Sequence, residues 1–74
     1  MGERAIVLRE DEEYITLQTL LKISGIISTG GMAKLFLADN VVYVNEEKEN
    51  RRGRKLYPGD KIQVSSTAFV IKAK

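Results

Sequence analysis

The sequence predicts an α+β domain in which two helices pack on a small, mostly antiparallel β-sheet. Two amphipathic stripes at i, i+3 and i+4, Leu17, Leu20, Leu21 and then Met32, Leu35, Phe36, are separated by a glycine-rich turn. One short β-branched run precedes them and several follow, punctuated by turn residues. At 74 residues the chain is about half the usual length of a domain, so a single core and a single domain over residues 1–74 are expected.

Ala5-Ile6-Val7-Leu8 is the first strand, ended by the charged stretch from Arg9 to Glu13. The first helix spans residues 16–24, with Thr16 placed to cap its first turn and Gly25 to end it in a left-handed conformation. Ile26 and Ile27 then fold back on the helix that the glycine stops. Ser28-Thr29-Gly30-Gly31 opens a second helix over residues 29–39, and Asn40 stands where positive φ is expected. Val41-Val42-Tyr43-Val44 is too β-branched to continue that helix and starts a strand. Pro58-Gly59 marks a tight turn, Ile62 and Val64 alternate with polar neighbours, and Ser65-Ser66-Thr67 separates them from a last strand over residues 68–72.

Composition excludes much chemistry. The chain has no Cys and no His, hence no thiolate, no imidazole, no disulfide and no zinc site of the usual ligands. So small a domain has little room for a substrate pocket, so no enzyme activity, cofactor, metal or small-molecule substrate is expected. No apolar run reaches the roughly 18 residues of a membrane span. The N-terminus lacks the basic and apolar regions of a signal peptide, so the expected location is the cytoplasm, with no membrane partner.

The net charge is only +2, but it is unevenly distributed. Residues 1–44 carry four basic and six acidic side chains, and residues 45–74 carry eight basic and four acidic ones. Five of those eight, Lys48, Arg51, Arg52, Arg54 and Lys55, fall within one short segment that attracts polyanions.

Two places have the chemistry to bind an anion. Gly30 and Gly31 at a helix start leave backbone N–H groups approachable, and Lys34 rises one turn later on the same face. Read alone, this is more simply a sharp helix-to-helix turn beside a solvated lysine. The second place is the arginine-rich segment, whose planar guanidinium groups match phosphate. Its plain alternative is a solvated loop partly paired with Glu46, Glu47 and Glu49. Tyr43 and Tyr57 are read as core residues with surface hydroxyls, and Asn45 as a turn former.

The joint pattern runs from Ile15-Thr16-Leu17 through Gly25, then Ser28-Thr29-Gly30-Gly31-Met32-Ala33-Lys34, Val42-Tyr43-Val44-Asn45 and Leu56-Tyr57-Pro58-Gly59-Asp60-Lys61-Ile62. It resembles the S-four RNA-binding domain, named for small-subunit ribosomal protein four, and within it the stand-alone bacterial YaaA-like branch. The resemblance covers residues 15–64, leaving a strand on each flank. It implies a two-helix αL-type module that grips structured RNA, ribosomal or transfer RNA, and associates with the ribosome. The contacts it implies are Gly30, Gly31 and Lys34 at the helix start, Asn45 after the strand, Lys48, Arg51, Arg52, Arg54 and Lys55 in the basic segment, and Lys61 after the Gly-Asp turn. Two positions depart from the family pattern: Thr29 where many members have Arg, and Glu46 where many have Gly. Reversing Arg51, Arg52 and Arg54 together to Glu is expected to abolish RNA binding and spare the fold. The competing reading is an assembly module that docks an acidic protein through the same loop. A ubiquitin-like sulfur carrier is disfavoured because the terminus Lys72-Ala73-Lys74 lacks Gly-Gly.

Overall fold

In the computed structural model, which describes residues 3–74, the elements in chain order are β1 (Glu3–Val7), β2 (Ile15–Thr16), α1 (Leu17–Ile23), α2 (Met32–Asp39), β3 (Val42–Val44), β4 (Glu47–Lys48), β5 (Lys55–Leu56), β6 (Lys61–Val64) and β7 (Thr67–Lys72). Of the expected 1–74 domain, Met1 and Gly2 lie outside the described residues. The α+β class holds. Five strands form one sheet in the order β1-β7-β6-β3-β4, in which β1 runs parallel to β7 and every other pair is antiparallel. A second, two-stranded sheet pairs β2 with β5.

The sheet is built by period-2 burial. Val42 and Val44, Ile62 and Val64, and Phe69 and Ile71 point to one face and are buried there with Leu17, Leu20, Leu21, Ala33 and Leu37 of the helices. Phe69, Leu17, Leu20 and Leu21 are fully buried, each contributing about 1.5–3 kcal/mol of transfer free energy. The alternate residues Tyr43, Lys61 and Gln63 are exposed on the other face. Tyr43 is therefore not a core residue: the alternation that buries Val42 and Val44 turns it outward. Tyr57 is likewise exposed, because its neighbour Leu56 takes the buried position.

Helix α1 begins and ends as its sequence dictates. The Thr16 hydroxyl accepts from the Thr19 N–H at 3.3 Å, and Gly25 adopts φ +84°. The Gly25 and Ile26 N–H groups donate back to the carbonyls of Lys22 and Leu21, each at 3.0 Å. Ile27 is buried and Ile26 packs against the core.

Helix α2 starts later than residue 29. Residues 29–31 form a turn in which Met32 N–H donates to Thr29 O and Ala33 N–H to Gly30 O, each at 3.1 Å. Two adjacent glycines disfavour a helix, and Gly30 is pressed so close to α1 that a Cβ there would lie 2.5 Å from Gln18 Nε2. At the other end Asn40 has φ −133° rather than a positive value. The chain enters β3 at once, which requires extended backbone, and the Asn40 side chain caps the helix instead by donating to Phe36 O at 3.0 Å.

The turns follow their residue chemistry. Gly59 has φ +95°, and Asp60 N–H donates to Tyr57 O at 2.9 Å. The β3–β4 hairpin turns on Asn45 and Glu46 at φ 51° and 73°, the two positive values of a type I′ turn. No helix is long and apolar enough to cross a membrane, among the described residues.

Candidate nucleic-acid interface

The basic segment is organised by one acidic residue. Glu49 N–H donates to Val42 O at 2.8 Å, which draws the chain against β3 and leaves the Glu49 side chain only 5% exposed. Its carboxylate Oε2 accepts from the Arg51 N–H and from Arg51 Nε, each at 3.0 Å. Oε1 accepts from Arg51 Nη2 at 3.1 Å and from Arg54 Nη1 at 2.7 Å. The Arg51 fork is the main cause that holds the Glu49 carboxyl down to about 2; burial pushes it the other way, and Arg54 adds to the lowering. The loop thus wraps around a buried anion. A simple solvated loop is not what forms.

The same loop closes α1. Leu17 N–H donates to Arg54 O and Gln18 N–H to Arg52 O, each at 2.9 Å. With the Thr16 cap, these bonds satisfy the first N–H groups of the helix, which would otherwise be unpaired. The backbone that carries the arginines is therefore fixed to the helical layer, so their placement requires little further ordering.

Around this frame the cations divide into groups. Lys34 of α2 and Arg52 line one concavity of about 360 Å³ with Leu37, Ala38 and Asn50. Arg51, Arg54 and Lys55 line a second, of about 600 Å³, with Gly53, Tyr57 and Asp60. Lys48 borders a neighbouring depression that shares Leu37, Ala38 and Asn50 with the first. Arg52, Lys34, Lys48 and Lys55 have no ion-pair partner among the described residues, and the Arg51 side chain remains 73% exposed despite its bond to Glu49.

Two expected contacts stand apart. Asn45 and Lys61 line a different concavity, on the open face of the sheet, with Tyr43, Glu46 and Gln63. The Asn45 amide is already committed: Nδ2 donates to Asp60 Oδ1 and Oδ1 accepts from the Lys61 N–H, both at 3.0 Å. It ties the hairpin turn to the Pro58-Gly59 turn. At the helix start the two glycines differ. Gly30 has a packing role against Gln18, whereas a Cβ on Gly31 would meet nothing nearer than Thr29 Oγ1 at 4.0 Å. Helix α2 has no side-chain cap and no acidic residue in its first turn. Lys34 sits there instead, where a cation opposes the helix dipole and a bound anion would offset that cost.

The S4 domain family matches residues 7–72. The chain belongs to this family. The "Probable ribosome maturation protein RlbA" of Bacillus subtilis (strain 168) is 54% identical over 54 residues, covering 73% of this chain and 76% of the relative. No solved structure matches.

In this S4 domain two features of the basic surface have no signal in the sequence. Glu49 was one acidic residue among three near the arginines, and only the Val42 bond singles it out for burial. Tyr14 precedes β2 and packs on Tyr57, with ring centroids 5.5 Å apart, while the Lys55 ammonium lies 5.1 Å from the Tyr14 centroid. Pairing of β2 with β5 brings these residues together, through a two-residue ladder too short to leave a period in the sequence.

Proposed function

We propose that this S4 domain is a non-catalytic RNA-binding module that grips structured RNA, ribosomal RNA first and transfer RNA second, through phosphates and shape. The observation that carries this reading is the convergence of Lys34 and Arg52 on one concavity, beside a second lined by Arg51, Arg54 and Lys55. Two chain segments, α2 and the loop after β4, supply cations to one concavity. Phosphate contacts of this type position a protein on RNA without reading base edges. The relative's name, a ribosome maturation protein, supports ribosomal RNA as the partner and the cytoplasm as the place of action.

In the proposed complex Lys34, Arg52 and Lys55 hold phosphates directly, and Gly31 lets the backbone approach one closely. Arg51 and Arg54 divide their donors between Glu49 and the RNA. Lys48 extends the basic area, while Lys61 contributes only charge at longer range. Fluorescence anisotropy against a structured ribosomal RNA fragment over a salt series tests the reading. With about five phosphates neutralised, log K falls against log salt with a slope of roughly −3.5 to −4.5. An affinity indifferent to salt would overturn it.

A further inference from the structure

The larger basic concavity has an aromatic wall that phosphate binding does not need. Tyr57 lines it, and 47% of the residue is exposed. Burial alternation explains why the ring points outward, but not why so large an apolar surface is left open beside three cations. The backbone that carries the ring is also held firmly. Tyr57 N–H donates to Asp60 Oδ2 at 2.8 Å, and Tyr57 O accepts from Asp60 N–H at 2.9 Å. Asn45 Nδ2 fixes the other Asp60 oxygen at 3.0 Å. Tyr14, which does not line the concavity, packs on the ring at a tilt of 47° and has the Lys55 ammonium over its own ring. Tyr57 is thus an exposed aromatic surface on a fixed backbone, in contact with one other ring.

We infer that the concavity beside Tyr57 is a subsite for one unpaired nucleotide of the bound RNA, its base stacked on the Tyr57 ring and its phosphate held by Arg51 and Lys55. The inference rests on the RNA-binding reading and adds a preference to it. A base inside a duplex has both faces covered, so an exposed ring gains nothing from continuous helix and gains stacking from a bulged or flanking nucleotide. The lining suits the two ends of a nucleotide. Arg51, Arg54 and Lys55 favour the phosphate. Asp60, on the same wall, repels a phosphate but accepts from a base amino group. Gly53 leaves the concavity open, since a Cβ there would meet nothing within 4 Å.

The test uses the full chain and two fluorescein-labelled RNAs, a blunt duplex and the same duplex with one bulged adenosine. The wild type is expected to bind the bulged RNA about tenfold more tightly, the stacking of one base. In Tyr57→Ala the ratio falls to about one, and Tyr57→Phe, which keeps the ring, retains the preference. With 2-aminopurine at the bulge, stacking quenches its fluorescence on binding to the wild type and to Tyr57→Phe but not to Tyr57→Ala. Equal affinity of the wild type for both RNAs, or an unquenched bulge, overturns the subsite while leaving RNA binding intact. Failure to bind either RNA overturns the RNA-binding reading and the subsite with it.

Discussion

Glu49 and Arg51 are joined at two points, Nε to Oε2 at 3.0 Å and Nη2 to Oε1 at 3.1 Å, with the carboxylate buried and the guanidinium largely in solvent. This pairing makes the basic loop part of the fold. Removing the carboxylate charge leaves Arg54, only 29% exposed, without its counter-charge. Breaking a buried pair on one side costs more than forming it returns. Glu49→Gln is expected to lose about 2 kcal/mol, and for so small a domain about 10 °C of melting temperature. Urea unfolding followed by circular dichroism measures it, and a change below about 0.5 kcal/mol, the range of a surface substitution, would contradict it.

The same pair sets a dependence on pH. The Glu49 carboxyl is lowered from 4.5 to about 2, so the folded state holds the charged form more strongly than the unfolded chain does. Its contribution is complete above pH 4.5 and is lost as pH falls toward 2. Discounted for the exposure of Arg51, it amounts to about 1–2 kcal/mol. The stability difference between the wild type and Glu49→Gln should therefore be flat above pH 4.5 and shrink below it. A difference that stays constant down to pH 3 would mean that charge is not what Gln removes.

The arginines are not equivalent, and the expectation that all three can be reversed without structural cost fails for two of them. Arg51 and Arg54 bond to Glu49, so reversing either places two carboxylates together in a partly dry site. Arg52 contributes only its carbonyl to the fold, and its side chain is exposed beside Lys34. Arg52→Glu should leave the melting temperature nearly unchanged, weaken RNA binding about tenfold or more and reduce the salt slope by about one. The triple reversal should unfold at markedly lower temperature. A triple variant as stable as the wild type would show that Glu49 does not organise the loop.

How much of this was legible in the sequence follows from the range of each signal. Leu17, Leu20, Leu21 and the Gly25 stop define α1 within a residue because cap, stripe and stop are all local. The alternation of Ile62 and Val64 likewise gives β6. Helix α2 starts later than its capping residues suggest because Gly30 answers to Gln18 on another helix, a contact no local rule contains. The basic segment was visible as charge, but its division was not. Which arginines bind Glu49 depends on the Glu49–Val42 bond, and the meeting of Lys34 with Arg52 depends on tertiary packing. Tyr57 faces outward, against the expectation from sequence, because its neighbour Leu56 faces inward, an orientation that no local pattern specifies.

Glu46 is the residue that departs from both the family pattern and the backbone rule. It has φ 73° in the β3–β4 hairpin turn, a region in which side chains other than those of Gly, Asn and Asp are strained. Its side chain makes no hydrogen bond or ion pair among the described residues, so nothing evident offsets that strain. Glu46→Gly should therefore raise stability by about 1 kcal/mol, less a small loss from the greater freedom of glycine in the unfolded chain. The urea midpoint should rise with no change in slope, since the surface exposed on unfolding is nearly the same. The variant also removes a negative charge beside Lys61, so RNA affinity at low salt should increase slightly and the increase should vanish as salt screens it. A lower midpoint in Glu46→Gly would show that the side chain, and not the backbone, decides the turn.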